Sequence, residues 1–167
     1  SFPTRRSSDL DGAVQHYDKK HLFTFGGEHK RFTAGTERVV VNFRGVRILL
    51  EVCYDLRFPV WARNLGDYDM ILYVASWPTP RVDAWSALLR ARAIENQCYV
   101  AGVNRMGVDP ACEYSGGSAI IDPYGKTIAE CPWSRESAVS ADIDMEALQA
   151  FRKKFPVLDD ADPFTLI

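Results

Sequence analysis

Hydrophobic positions along the chain change period several times, and each change predicts an element. "RVVVNF" (38–43) and "VRILLEV" (46–52) are β-branched, apolar runs on either side of Arg44-Gly45. Two such runs around an X-Gly dipeptide predict a hairpin with a tight two-residue turn. "DMILYVAS" (69–76) and "QCYVAGVN" (97–104) are almost continuously apolar, the pattern of strands covered on both faces. Between them, "RVDAWSALLRARAIEN" (81–96) places Trp85, Leu88, Leu89 and Ala93 at helical spacing and predicts a helix.

Weaker patterns fill in the rest. Asp11-Gly12 signals a turn, followed by a short strand in "AVQHY" (13–17), and "FGGEHKRFTAGTE" (25–37) reads as a loop. Pro59 suits the first turn of a short helix in "PVWARNL" (59–65). "SAIID", "TIAEC" and "ESAVSADID" predict three further strands. "MEALQAFRKKF" predicts a helix that stops before Pro156. Strands alternating with helices, several of the strands buried on both faces, point to a layered α/β protein.

Composition narrows the function classes. The chain has 167 residues, 47% hydrophobic and 25% charged, enough for one globular domain with a core. A net charge of −2 offers no electrostatic footprint for nucleic acid or an anionic membrane. No apolar run approaches the roughly 18 residues of a membrane span. Cys53, Cys98, Cys112 and Cys131 form no C-x-x-C pair, and His16, His21 and His29 no H-x-x-x-H, so zinc-site spacing is absent. With no export signal, the expectation is reduced thiols in a cytoplasmic protein. Gly26-Gly27 and Gly116-Gly117 do not open helices in a phosphate-binding fingerprint, so nucleotide cofactors gain no support. Ser1–Leu10, a polar Ser- and Arg-rich string, reads as a non-native leader similar to a translated sequencing adapter. Residues 11–167 then read as the C-terminal part of a single domain whose N-terminal part is missing.

The candidate chemistry centres on "EVCYDLRFP" (51–59). A free cysteine is by default a small buried hydrophobe. Cys53, however, falls at a strand-to-helix corner, which exposes a side chain at the sheet's carboxyl edge and aims free amides, including that of Tyr54, at the same point. Such amides lower a thiol's pKa and receive an oxyanion. "YDKKHLF" (17–23) brings two lysines and a histidine to a strand end, and Glu28 follows in the loop; each, taken alone, also reads as a solvated charge. Asp55 and Arg57 read equally well as a local ion pair. Trp77 in "ASWP" reads as a pocket wall or as core. Asp122-Pro123-Tyr124-Gly125 fits a β-turn, and Arg92, Glu95 and Asn96 fit a local helical ion pair.

Taken together, "YDKKHLF…GEH…VCYDLRFP", "DMILYVASWP", "LLRARAIENQCYVAGVNR" and "GGSAIIDPYGK" resemble the carbon–nitrogen hydrolase (nitrilase) superfamily. Within it the chain is most similar to bacterial omega-amidases, which act on 2-oxo dicarboxylic acid monoamides. The resemblance implies a four-layer α-β-β-α sandwich, a homodimer or larger homo-oligomer, a small amide substrate and no metal or organic cofactor. The family pattern Y-x-K-x-H-L-F implies Lys19 as the catalytic lysine, Cys53 as nucleophile and Glu28 as a supporting glutamate. The Tyr54 amide would share the oxyanion with Lys19, while Arg57 and Trp77 would contact substrate. The family's general base is a further glutamate well upstream of the lysine, and nothing in this chain matches it. A non-catalytic fragment, an N-carbamoyl amino-acid hydrolase and a nitrilase remain as alternatives.

Overall fold

The fold is given by a computed structural model, which describes residues 6–8 and 14–165. Ten strands, β1 to β10, and two α-helices follow in chain order. β1 (Arg6–Ser8) and β2 (Val14–His16) pair antiparallel; the Asp11-Gly12 turn lies outside the described residues. β3 (Val40–Phe43) and β4 (Val46–Val52) form the expected hairpin, with Phe43 opposite Val46. Arg44 and Gly45 between them have φ of 51° and 83°, the pair of positive values a type I′ turn demands.

β4 then runs parallel to β5 (Met70–Ala75), and β5 parallel to β6 (Tyr99–Asn104). The second connection is α1 (Val82–Glu95), so β5-α1-β6 is the right length for a crossover unit. A small hairpin, β7 (Met106–Val108) with β8 (Glu113–Ser115), leads to β9 (Ala119–Ile121) and β10 (Thr127–Glu130). The large sheet has the order β10-β9-β6-β5-β4-β3. Its central strands are parallel and its flanks antiparallel.

Each face of this sheet has its own core. On one face Trp85, Leu89 and Ala93 of α1 pack on Leu49, Ile71, Tyr73, Val100 and Ile121. Gly102 lets α1 approach, because a Cβ there would collide with Leu89 and Trp85. On the other face Val41, Leu50, Val52 and Val74 pack with Tyr17 and Trp61. α2 (Met145–Lys154) opens on Asp144, whose carboxylate accepts from the Ala147 amide at 2.8 Å. It is tied down by Arg152, which donates to Asp69, the Tyr68 carbonyl and the Gln97 carbonyl. No helix among the described residues is long and apolar enough to cross a membrane.

Two expectations fail locally, and one element was missed. "PVWARNL" is a set of turns and not a helix. Seven residues cannot offset helix nucleation, and Trp61 and Asn64 are held instead by Tyr17, Tyr68 and Asn96. "ESAVSADID" runs without a ladder and is mostly exposed, since no strand edge lies alongside to pair with it. The β7–β8 hairpin was not legible, because its three-residue strands are too short to show a period. The Asp122–Gly125 turn is as expected, closed by Gly125 N–H to Asp122 O at 2.9 Å.

Candidate active site

Cys53 begins a 3-10 turn (Cys53–Arg57) directly after β4, at the carboxyl edge of the parallel strands. Its φ is 50°. A non-glycine residue held in the left-handed region costs about 1–3 kcal/mol, and such strain collects at functional sites. The tight bend turns the thiol out of the sheet and leaves the Tyr54 amide in the first turn, where no intrahelical partner exists.

Asp55 fixes this corner. Fully buried, it accepts from the Val52 amide (3.1 Å), the Tyr17 hydroxyl (2.9 Å) and the His21 amide (2.8 Å), and its Oδ1 lies 2.9 Å from His21 Nδ1. The segment after β2 is thereby clamped to the corner, which brings Lys19 alongside Cys53. Asp55 is thus engaged with His21 and Tyr17, and the ion pair with Arg57 is not formed. Arg57 lies instead over the Trp77 ring, 5.0 Å from its centroid.

Lys19 is 6% exposed and donates to both oxygens of Glu28, at 2.9 and 2.7 Å. Glu28 is itself held by the Phe23 amide at 2.8 Å. Lys20 turns away and sits over Trp61. Lys19, Glu28, Cys53, Tyr54, Arg57 and Trp77 all line one cavity of about 1040 Å³. The structure therefore brings together all six residues singled out from the sequence. Trp77 is both wall and core, since it faces the cavity and packs on Trp85.

The thiol departs from expectation. Burial pushes the Cys53 pKa up, and the Lys19 ammonium pulls it down without overcoming that effect. Cys53 is a neutral thiol at rest, its sulfur 3.9 Å from the Ser76 carbonyl. Reaction as a thiolate would call for a base to take its proton.

Sequence reasoning missed three contributors. Asn104, at the end of β6, clamps Trp77 by accepting from its amide (2.7 Å) and donating to its carbonyl (2.9 Å). Arg81 and Arg105 also line the cavity; their only signal was an arginine after a Pro-Thr-Pro turn and another at a strand end. Among the described residues no group of His, Cys, Asp and Glu converges so as to hold a metal ion.

Known proteins are similar to this chain in sequence and fold. The carbon–nitrogen hydrolase family model matches residues 6–153. The chain is 54% identical over 156 residues to the omega-amidase YafV of Escherichia coli, covering 93% of this chain and 61% of that protein. It is 40% identical over 162 residues to the 2-oxoglutaramate amidase of Bacillus subtilis, covering 95% and 62%. The crystal structure of a CN-hydrolase superfamily protein from Xanthomonas campestris, with an arsenic adduct in its active site, superimposes with a TM-score of 0.90 at 49% identity, over 94% of this chain and 62% of that one. The chain thus spans about three fifths of the length of the relatives it matches, and its α/β sheet is that of the nitrilase fold. On the family match and these identities, the chain belongs to the carbon–nitrogen hydrolase family.

Proposed function

We propose that this chain is part of an amidase of the omega-amidase type, which hydrolyses the side-chain amide of small 2-oxo dicarboxylic acid monoamides. The observation that carries the reading is the Lys19–Glu28 pair facing a cysteine held at positive φ in one cavity. In this reading the Cys53 sulfur bonds to the amide carbon while its proton passes to a base. The carbonyl oxygen becomes an oxyanion held by the Lys19 ammonium and the Tyr54 N–H; each such donor supports catalysis by about 3–4 kcal/mol. Collapse breaks the carbon–nitrogen bond, and ammonia leaves with the transferred proton. Water then cleaves the thioester, giving the carboxylate and the free thiol. Glu28 holds and aims Lys19, and no step calls for a metal or organic cofactor.

Arg57, stacked on Trp77, suits the far carboxylate of the substrate through a two-pronged contact. Action in the cytoplasm and assembly as a homo-oligomer belong to the same reading. The exposed apolar side chains Val103, Val108 and Tyr124 support assembly.

The test is acylation of Cys53. A chain extended to the length of its relatives, given a 2-oxo dicarboxylic acid monoamide, should release ammonia and show a transient thioester at Cys53 by mass spectrometry. C53A should show neither. Ammonia release that survives C53A would sink the mechanism.

A further inference from the structure

The cavity carries four cations: Lys19, Arg57, Arg81 and Arg105. Two of them are neutralised within the protein, Lys19 by Glu28 at 2.7 Å and Arg105 by Asp109 at 3.6 Å. Among the described residues Arg57 and Arg81 have neither a carboxylate partner nor a side-chain hydrogen bond. Of the carboxylates lining the cavity, Glu28 is committed to Lys19 and Asp18 lies exposed. The half-buried Arg81 and the more exposed Arg57 therefore both face this space without a carboxylate partner among the described residues.

Their placement is built and not incidental. Arg81 ends the 3-10 turn Thr79–Arg81, and its amide donates to the Pro78 carbonyl at 3.0 Å. Its own carbonyl accepts from the Trp77 indole N–H at 2.7 Å. The face of that same indole supports Arg57, and the Phe23 ring supports the Arg81 guanidinium at 5.7 Å. One tryptophan, itself clamped by Asn104, thus fixes the positions of both arginines. A guanidinium lying over a ring keeps its in-plane N–H groups available for an acceptor.

We propose that Arg81 is a specificity-determining residue which, with Arg57, binds the 2-oxo carboxylate at the far end of the substrate and excludes the 2-amino counterpart. The proposal rests on the amidase reading of this cavity. One carboxylate satisfies one guanidinium fork; a second fork calls for a further acceptor. A 2-oxo acid supplies it, because its keto oxygen and carboxylate offer three acceptor oxygens side by side. An amino acid amide of the same length carries an ammonium at that carbon. Two unneutralised guanidinium groups repel it, and it returns no acceptor.

The probe is protection of Cys53 from iodoacetamide, read by mass spectrometry at one fixed pH above the ordinary thiol range, the same for every ligand and variant. 2-Oxoglutarate, L-glutamate and the neutral amide butyramide are the ligands, and the chain is compared with R81Q. In the native chain 2-oxoglutarate should protect at far lower concentration than glutamate. R81Q should raise the protecting concentration of 2-oxoglutarate by about ten- to a hundredfold, the loss typical of a charge-assisted hydrogen bond, and narrow its lead over glutamate. Butyramide should shift little. An R81Q chain that keeps the native preference overturns the assignment, as does one in which butyramide shifts equally. Should R81Q not fold, R81K decides: with charge but no fork, it should keep discrimination against glutamate and lose several-fold toward 2-oxoglutarate, and unchanged protection overturns the proposal. If no ligand protects Cys53 in the native chain, the amidase reading fails first.

Discussion

Glu28 grips Lys19 with both carboxylate oxygens, across nine residues of chain and in a position where the lysine is almost wholly buried. A buried ammonium without a counter-charge is costly, and Glu28 supplies that counter-charge. Glu28 is partly exposed, which moderates the cost of removing it. Glu28→Ala should lower stability by about 1–3 kcal/mol, and Lys19→Met by less, since it leaves a carboxylate that can reach water. Urea midpoints of the two variants test the order. A Glu28→Ala chain as stable as the native one would show the pair to be ornamental.

The Cys53 thiol should behave as a hindered, neutral thiol in this chain. Burial raises its pKa and Lys19 lowers it, with burial prevailing. Alkylation should therefore accelerate only above the ordinary thiol range, about 8.5. Lys19→Met should move the profile further up, because the charge that favours the thiolate is gone. Rates against pH for the two chains check this; a Lys19→Met profile at lower pH than native would contradict the geometry.

Asp55 joins four groups from three residues, and its loss should be felt by all of them. Asp55→Ala leaves the Tyr17 hydroxyl and the Val52 amide without their acceptor in a buried site, for a cost of about 2–4 kcal/mol. Tyr17→Phe removes one member of the network, and about 1 kcal/mol is expected. Thermal unfolding of both variants should show this ratio, and equal losses would mean that Asp55 matters only through Tyr17.

How much of this was legible in the sequence depended on whether the signal was local. The β3–β4 hairpin was, because alternating β-branched residues and Arg44-Gly45 sit side by side. So was α1, where Trp85, Leu89 and Ala93 repeat at helical spacing and one face meets the sheet. Lys19, Glu28 and Cys53 were legible only through the combined motif, since each alone is an ordinary residue. Arg81 was hidden because its placement depends on the Trp77 indole and the Phe23 ring, 4 and 58 positions away in the chain. The thiol pKa was misjudged for a related reason: free amides at the corner were visible in the pattern, and the burial that outweighs them was not.

Gly102 should tolerate no side chain. An added Cβ would run into Leu89 and Trp85, both fully packed against the sheet, so α1 or β6 must shift. Gly102→Ala should cost about 1–3 kcal/mol, the usual penalty for overpacking a core. Because α1 starts next to Arg81, the shift should also weaken 2-oxoglutarate protection of Cys53. A denaturant titration showing no loss would mean that the helix yields freely.

Glu51 offers the sharpest pH test. It sits two residues before Cys53, 1% exposed, on the face covered by α1, and neither carboxylate oxygen has a hydrogen-bond partner. Burial raises its pKa well above the usual carboxylate value, the nearby Asp55 charge adds to that, and Arg38 and Arg92 oppose it without prevailing. The folded protein therefore holds a proton on Glu51 where the unfolded chain has lost it. From about pH 4.5 upward the native state binds more protons than the unfolded one, and stability falls as pH rises, by at most about 1.4 kcal/mol per pH unit from this group. Glu51→Gln fills the same space with a neutral group and removes the slope. The variant should match the native chain near pH 4.5 and exceed it increasingly toward pH 8. Parallel stability curves from pH 5 to 8 would mean that Glu51 is ionised in the fold and answered by Arg38 and Arg92.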